Sequence, residues 1–276
     1  MSNWGIELVG VSIGIESKSV ETDELLDATL NNIVSKGLIA DPQARLMVEY
    51  IKGSWQLNEA ASGLNLTFNR SGDFLYHLTD RIVFHIANST NRVHCLHAGA
   101  VELDGRAILC PADSGSGKST FISWLVTNGF SYITDELVWL DNDHHLGGLA
   151  RPIQIKPGGL SAVSPLIADQ SEVVPGDTAN SLTFRALGAT PSVDRPDLGA
   201  VIFPKYESGA KFDLNPISTG IAGLKIMSHH VNARNLKDHG FRSIMGSIKQ
   251  VPCYHLIYSE FSQLHPELFQ KLIAKA

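Results

Sequence analysis

The run Ala112-Asp113-Ser114-Gly115-Ser116-Gly117-Lys118-Ser119-Thr120 carries the strongest chemical signal in the chain. It fits the phosphate-binding loop template G-x-x-x-x-G-K-[ST], with alanine standing at the first glycine. Glycine reaches positive φ at little cost, so Gly115 and Gly117 can turn successive backbone N–H groups inward as an anion nest. A helix starting at Ser119 would add the partial positive charge of its N-terminus. On this reading the loop from Asp113, Ser114, Gly115 and Ser116 through Gly117, Lys118, Ser119 and Thr120 holds the phosphates of ATP. Lys118 would reach the β- and γ-phosphates, and the Ser119 hydroxyl would ligate Mg²⁺, a hard ion that takes oxygen ligands. The plainer alternative is a glycine-rich surface turn ahead of a capped helix.

A metal at such a loop needs an acidic partner. Asp135-Glu136 follows one helical stretch and one apolar run after Lys118, a path that brings the chain back beside the loop. Two adjacent acids at the end of an apolar run are costly to bury unless a cation pairs with them. Asp135 and Glu136 are therefore expected, with Ser119, at the metal; a solvated turn is the alternative.

The elements that must position these groups are legible around them. His97 to Leu103 and Arg106 to Cys110 flank Asp104-Gly105, a strong hairpin signal, and the second strand runs into the loop. A helix is expected from Ser119 to about Asn128, ended by Gly129, then strands at Phe130–Thr134 and Leu137–Leu140. Further strands are expected at Ala200–Phe203 and Tyr254–Tyr258, helices at Ala222–Val231 and from Pro266. Upstream, a strand from Ile6 to Ile15, a helix from Thr22 to Ser35, strands at Leu46–Ile51 and Leu64–Phe68, and an amphipathic helix from Phe74 to Ala87 suggest a small α+β unit. Ser161 to Arg195, rich in Pro and Ser, reads as a long irregular connection, either a lid or acceptor loop or plain surface.

Composition bounds the class. At 276 residues, 43% hydrophobic and 18% charged, the chain can build a sizeable core and is neither disordered nor low in complexity. A net charge of −6 and the lack of any basic run argue against nucleic acid as partner. Three scattered cysteines form no CxxC, no apolar run reaches spanning length, and no secretory leader opens the sequence. A cytoplasmic protein without a membrane partner is the expectation. His144-His145 and His229-His230 lack the spacing of a zinc site and are set aside.

Taken together, His97-Ala98-Gly99-Ala100-Val101 with its Asp104-Gly105 turn, the loop Asp113–Thr120 and Thr134-Asp135-Glu136 resemble the catalytic domain of HPr kinase/phosphorylase and the related stand-alone serine kinases. Arg151-Pro152-Ile153-Gln154-Ile155-Lys156-Pro157 and, more weakly, Val201-Ile202-Phe203-Pro204-Lys205-Tyr206 extend the likeness, which spans roughly residues 91 to 260. The resemblance implies an α/β fold: a core of mixed sheet and helices shared with phosphoenolpyruvate carboxykinase over 91–276, preceded by a smaller α+β domain over 1–90 where an acceptor could dock. It implies a kinase that moves the γ-phosphate of ATP to a hydroxyl. Asp135 would take the proton from an acceptor serine, Glu136 would help bind Mg²⁺, His97 would lie near the reacting phosphate, and Arg151 and Lys156 would neutralise phosphate charge or guide the acceptor. For His97 a core histidine capping the hairpin is the alternative, and for Arg151 and Lys156 a surface role.

Two departures bear on substrate. The LEVRGLG-like signature of the bifunctional enzyme is missing, and Thr120 stands where that enzyme often has glutamate. Both argue against HPr as substrate, and they leave open whether the reverse dephosphorylation occurs. Some short relatives phosphorylate a serine on a lasso-peptide precursor, and a peptide or protein serine is the expected acceptor. A small-molecule hydroxyl kinase and a non-catalytic nucleotide-sensing protein remain as alternatives, and the ring assemblies of the family leave a homo-oligomer open.

Overall fold

The computed structural model describes residues 2–192 and 195–274. Its first part is β1 (Ser2–Leu8), β2 (Val11–Ser17), α1 (Val20–Leu30), β3 (Ser35–Lys36), β4 (Ala44–Ile51), β5 (Ser54–Glu59), β6 (Leu64–Phe68) and α2 (Ser71–Ser89). The six strands form one sheet in the order β3-β1-β2-β4-β5-β6. The single strand expected over Ile6–Ile15 is a hairpin: Val9 and Gly10 both take positive φ and fold β1 back on β2. Apolar residues continue through this turn, which hid it from the pattern. The first helix starts two residues earlier than expected, capped by the Ser19 side chain, and ends at Leu30, five short of Ser35.

The chain then runs through β7 (His94–Leu103), β8 (Arg106–Pro111), α3 (Lys118–Thr127), β9 (Ser131–Thr134), β10 (Leu137–Leu140), β11 (Leu146–Gly148), β12 (Ile153–Ile155), α4 (Pro157–Val163), β13 (Val173–Val174) and β14 (Asn180–Leu182). It closes with β15 (Asp197–Tyr206), β16 (Asp213–Pro216), α5 (Thr219–Ser228), α6 (Phe241–Ile248), β17 (Cys253–Tyr258) and α7 (Pro266–Ile273). The main sheet runs β11-β10-β7-β8-β15-β17-β16, with β9 also paired to β7. Within it β8, β15 and β17 are parallel and the other pairings antiparallel, so this is a mixed α/β architecture. Asp104 and Gly105 both hold positive φ at the β7–β8 turn, as an Asp-Gly hairpin requires. The stretch expected to be irregular instead holds β13 and β14, which join β12 in a small three-stranded sheet.

Trp4, Ile13, Leu26, Phe74 and Leu78 of the first part pack in one core with Cys95, Leu137 and Leu149 of the second. A separate core lies between α3 and the main sheet, around Phe121, Leu125, Tyr132, Ile202 and Phe269. All three cysteines are buried and free, and burial pushes the Cys95 thiol up to about 12. Among the described residues no helix is long and apolar enough to cross a membrane.

Candidate active site

The glycine loop leaves the end of β8, inside the parallel trio, and enters α3. Gly115 and Gly117 sit at φ 85° and 87°, a region that L side chains rarely adopt. Gly117 is the N-cap of α3, and a Cβ there would stand 2.8 Å from Tyr206 Cβ. Two bonds pin the loop: the Tyr206 N–H donates to Ser116 O at 2.8 Å, and the Tyr258 hydroxyl donates to Gly117 O at 3.3 Å. The first-turn N–H groups of α3 have no intrahelical acceptor by geometry, so they offer donors to an anion.

Strand β7 lies beside β8 and beneath α3. Gly99 makes that approach feasible, because a Cβ there would stand 2.6 Å from Ile122 Cγ1. The helix is thereby close enough to set Lys118 Nζ 3.1 Å from His97 Nε2, while His97 Nδ1 lies 2.9 Å from Glu136 Oε1. An ammonium only donates, so His97 Nε2 accepts from Lys118 and Nδ1–H donates to Glu136. Lys118 is buried; desolvation lowers its pKa, opposed by the carboxylates of Glu136 and Asp135.

The acids occupy the break between β9 and β10. Asp135 is 1% exposed and its oxygens are engaged. Oδ2 accepts from the Ser119 hydroxyl at 3.0 Å and from the Gln154 N–H at 3.2 Å, and Oδ1 accepts from the Tyr132 hydroxyl at 3.4 Å. Glu136 keeps 21% of its side chain exposed. The cation that makes their burial tolerable is Arg151, itself 3% exposed, with Nη2 2.8 Å from Glu136 Oε2 and Nε 3.5 Å from Asp135 Oδ1. Burial alone would raise the Glu136 pKa; Arg151, the His97 hydrogen bond and Lys118 outweigh it and hold the group at about 2. Arg151 also donates to Thr79 Oγ1 of α2 at 3.2 Å, tying the acids to the first part of the chain.

Two cavities touch this cluster, one at Ser119 and the other at His97 and Glu136. One of about 540 Å³ lies beside the loop and is walled by Gly117, Thr120, Gly159, Tyr206, Tyr258 and Phe261. Lys156 lines it and donates to Ser114 Oγ at 2.9 Å. The other, about 310 Å³, runs under α2 and has His97 and Glu136 in its lining.

Of the residues singled out from sequence, His97, Lys118, Ser119, Asp135, Glu136 and Arg151 converge in one hydrogen-bonded cluster. Ser114, Gly115, Ser116, Gly117, Thr120 and Lys156 lie in or against the loop; of the two residues for which a surface role was the alternative, Arg151 is buried and Lys156 is exposed. Asp113 stands apart, its side chain 95% exposed and 3.9 Å from His229 Nε2. Sequence reasoning missed Tyr258 and Phe261 as walls of the larger cavity, Tyr132 beneath Asp135, and Thr79 behind Arg151. No local signal marks them, since each arrives by long-range packing.

No protein-family model matches the chain, and no curated protein matches it. Among solved structures it is similar to that of the Hpr(Ser) kinase/phosphatase from Coxiella burnetii, at 12% identity and a TM-score of 0.30, over 65% of this chain and 93% of that one. The relationship is a distant one, and the site is read from its own geometry.

Proposed function

We propose that this protein is an ATP-dependent kinase that transfers the γ-phosphate to a hydroxyl, with a peptide or protein serine as acceptor. The observation that carries the reading is the meeting of the Ser119 hydroxyl and the Asp135 carboxylate, 3.0 Å apart, at the N-terminus of a helix capped by a left-handed glycine. Ser119 and Asp135 offer only oxygen donors, which suits Mg²⁺ and not a softer ion. Mg²⁺ bound there would neutralise charge on the triphosphate. The loop amides and Lys118 would hold the β- and γ-phosphates, and the aromatic wall of Tyr206, Tyr258 and Phe261 suits the flat base of a nucleotide. The likeness of the quoted segments to HPr kinase/phosphorylase points the same way.

Phosphoryl transfer depends mainly on positioning and charge stabilisation. The acceptor oxygen attacks the γ-phosphorus, the bond to the bridging oxygen breaks, and ADP leaves with that electron pair. The sequence reading gives the acceptor's proton to Asp135. Its sealed position favours a division of labour in which Asp135 serves the metal with Ser119 and the partly exposed Glu136, oriented by His97, takes the proton. A carboxylate held at about 2 is a weak base, which a loose transition state tolerates.

The test is γ-labelled ATP with Mg²⁺ and a panel of serine peptides, run on the wild type, Lys118→Ala and Asp135→Asn, with circular dichroism to verify folding. Label should enter a peptide with the wild type and be lost in both variants. Full transfer by folded Lys118→Ala overturns the reading. Mg·ATP binding without transfer to any acceptor would make the chain a nucleotide sensor, and label confined to small metabolites would make it a small-molecule kinase.

A further inference from the structure

The cavity under α2 has a face, a floor and a charge, and they select an occupant. Asp80, Val83, Phe84, Ala87 and Asn88 follow the three- and four-residue spacing of one helix face, and all five line the cavity. Opposite them, His97 sits between two neighbouring backbone segments. Leu137 pairs with it across β10, and on the other edge the His97 N–H donates to His229 O at 2.8 Å while the Val231 N–H donates to Cys95 O at 2.9 Å. Leu137 and Val231 therefore flank His97 and Glu136 as an apolar frame around two polar groups. Leu137 is buried, whereas Phe84 and Val231 are 48% and 42% exposed and open the cavity to solvent.

The charges are uneven. The Glu136 carboxylate is taken by Arg151 and His97. Arg81 covers the ring of Phe84 from 4.3 Å but is bound to Glu59, and Arg234 donates to Asn88 at the far end. Among the described residues Asp80, exposed at the near end, pairs with no cation. A third cavity against the loop, with Lys205, Lys225 and His229 in its lining, shares no residue with the cavity under α2 and touches none of Ser119, His97 and Glu136.

We propose that the cavity under α2 is the acceptor site and that it takes an extended serine-bearing peptide segment with a cationic residue beside the serine. This rests on the kinase reading above. The stripe from Asp80 to Asn88 spans about 12 Å along the helix, the length of three to four extended residues. The serine hydroxyl lies over Glu136 and His97, an apolar neighbour packs on Phe84 and Val231, and the cationic residue meets Asp80. The nucleotide occupies the other cavity, which meets the cluster at Ser119, while the acceptor meets it at Glu136 and His97.

The test uses two nonapeptides with a central serine between leucines, one carrying lysines further out and the other glutamates in the same places. Transfer from γ-labelled ATP is measured with the wild type and Asp80→Lys, and Mg·ATP binding to the wild type is measured alongside. The wild type should favour the lysine peptide roughly five-fold or more in kcat/KM, the scale of one exposed ion pair, and Asp80→Lys should reverse the preference. Phe84→Ser should raise KM for both peptides with kcat little changed. Equal use of the two peptides, or an unchanged preference in Asp80→Lys, overturns the acceptor site, as does bound Mg·ATP with no transfer to either peptide. Failure of the wild type to bind Mg·ATP overturns the kinase reading itself, and this proposal with it.

Discussion

At the scale of single residues, Arg151 is the position on which the site depends most. It lies between two carboxylates that burial would otherwise make costly, and it reaches back to Thr79. Removing one partner of a buried ion pair leaves an uncompensated charge, worth about 3–5 kcal/mol. Arg151→Met should therefore destabilise the protein by about that much in urea denaturation, and adding Glu136→Gln should recover part of the loss. An additive or worse double variant would show that Arg151 is not there for the acids. The sequence made the loop and the acid pair visible because their chemistry is local. It also posed the need for a cation, but whether that cation was Arg151, a metal or both depends on where β12 comes to lie, and no local pattern records that.

At the scale of elements, β7 gathers the site by accepting neighbours on both edges, and one of those pairings buries a histidine pair. His94 on β7 and His230 opposite Leu96 lie with ring centroids 5.3 Å apart, both under a tenth exposed. Burial, with His94 nearby, lowers the His230 pKa from 6.5 to about 4. The unfolded chain binds the proton first, so stability is full above pH 6.5 and falls as pH drops from there towards 4. Thermal melts across this range should show that slope, and His230→Phe should flatten it. An unchanged slope in the variant would assign the loss to other groups. The β7–β8 hairpin was legible because Asp-Gly is a strong turn signal, whereas the β1–β2 hairpin was not, since Val9-Gly10 sits inside an apolar run. The helix α3 was legible to within one residue at each end, Ser119 to about Asn128 against Lys118–Thr127.

At the scale of the molecule, residues before and after position 90, where the resemblance places a division, share one core. Cys95, Leu137 and Leu149 share a core with Trp4, Leu26 and Phe74, and α2 supplies both Thr79 and the face over His97. A fragment of residues 91–276 should lose much of this shared core, and is expected to be insoluble or to lack a cooperative melt by circular dichroism. A fragment that folds and binds Mg·ATP as the full chain does would show the first part to be dispensable. Sheet order was beyond reach of the sequence, because β8, β15 and β17 pair across long separations that no local periodicity encodes.

The cavity beside the loop and the one under α2 have no lining residue in common. With nucleotide and acceptor placed there as proposed, neither has to leave before the other can enter, and no phosphorylated enzyme form is needed to carry the group between them. Double-reciprocal plots for such a catalyst intersect rather than run parallel, and either substrate can bind first.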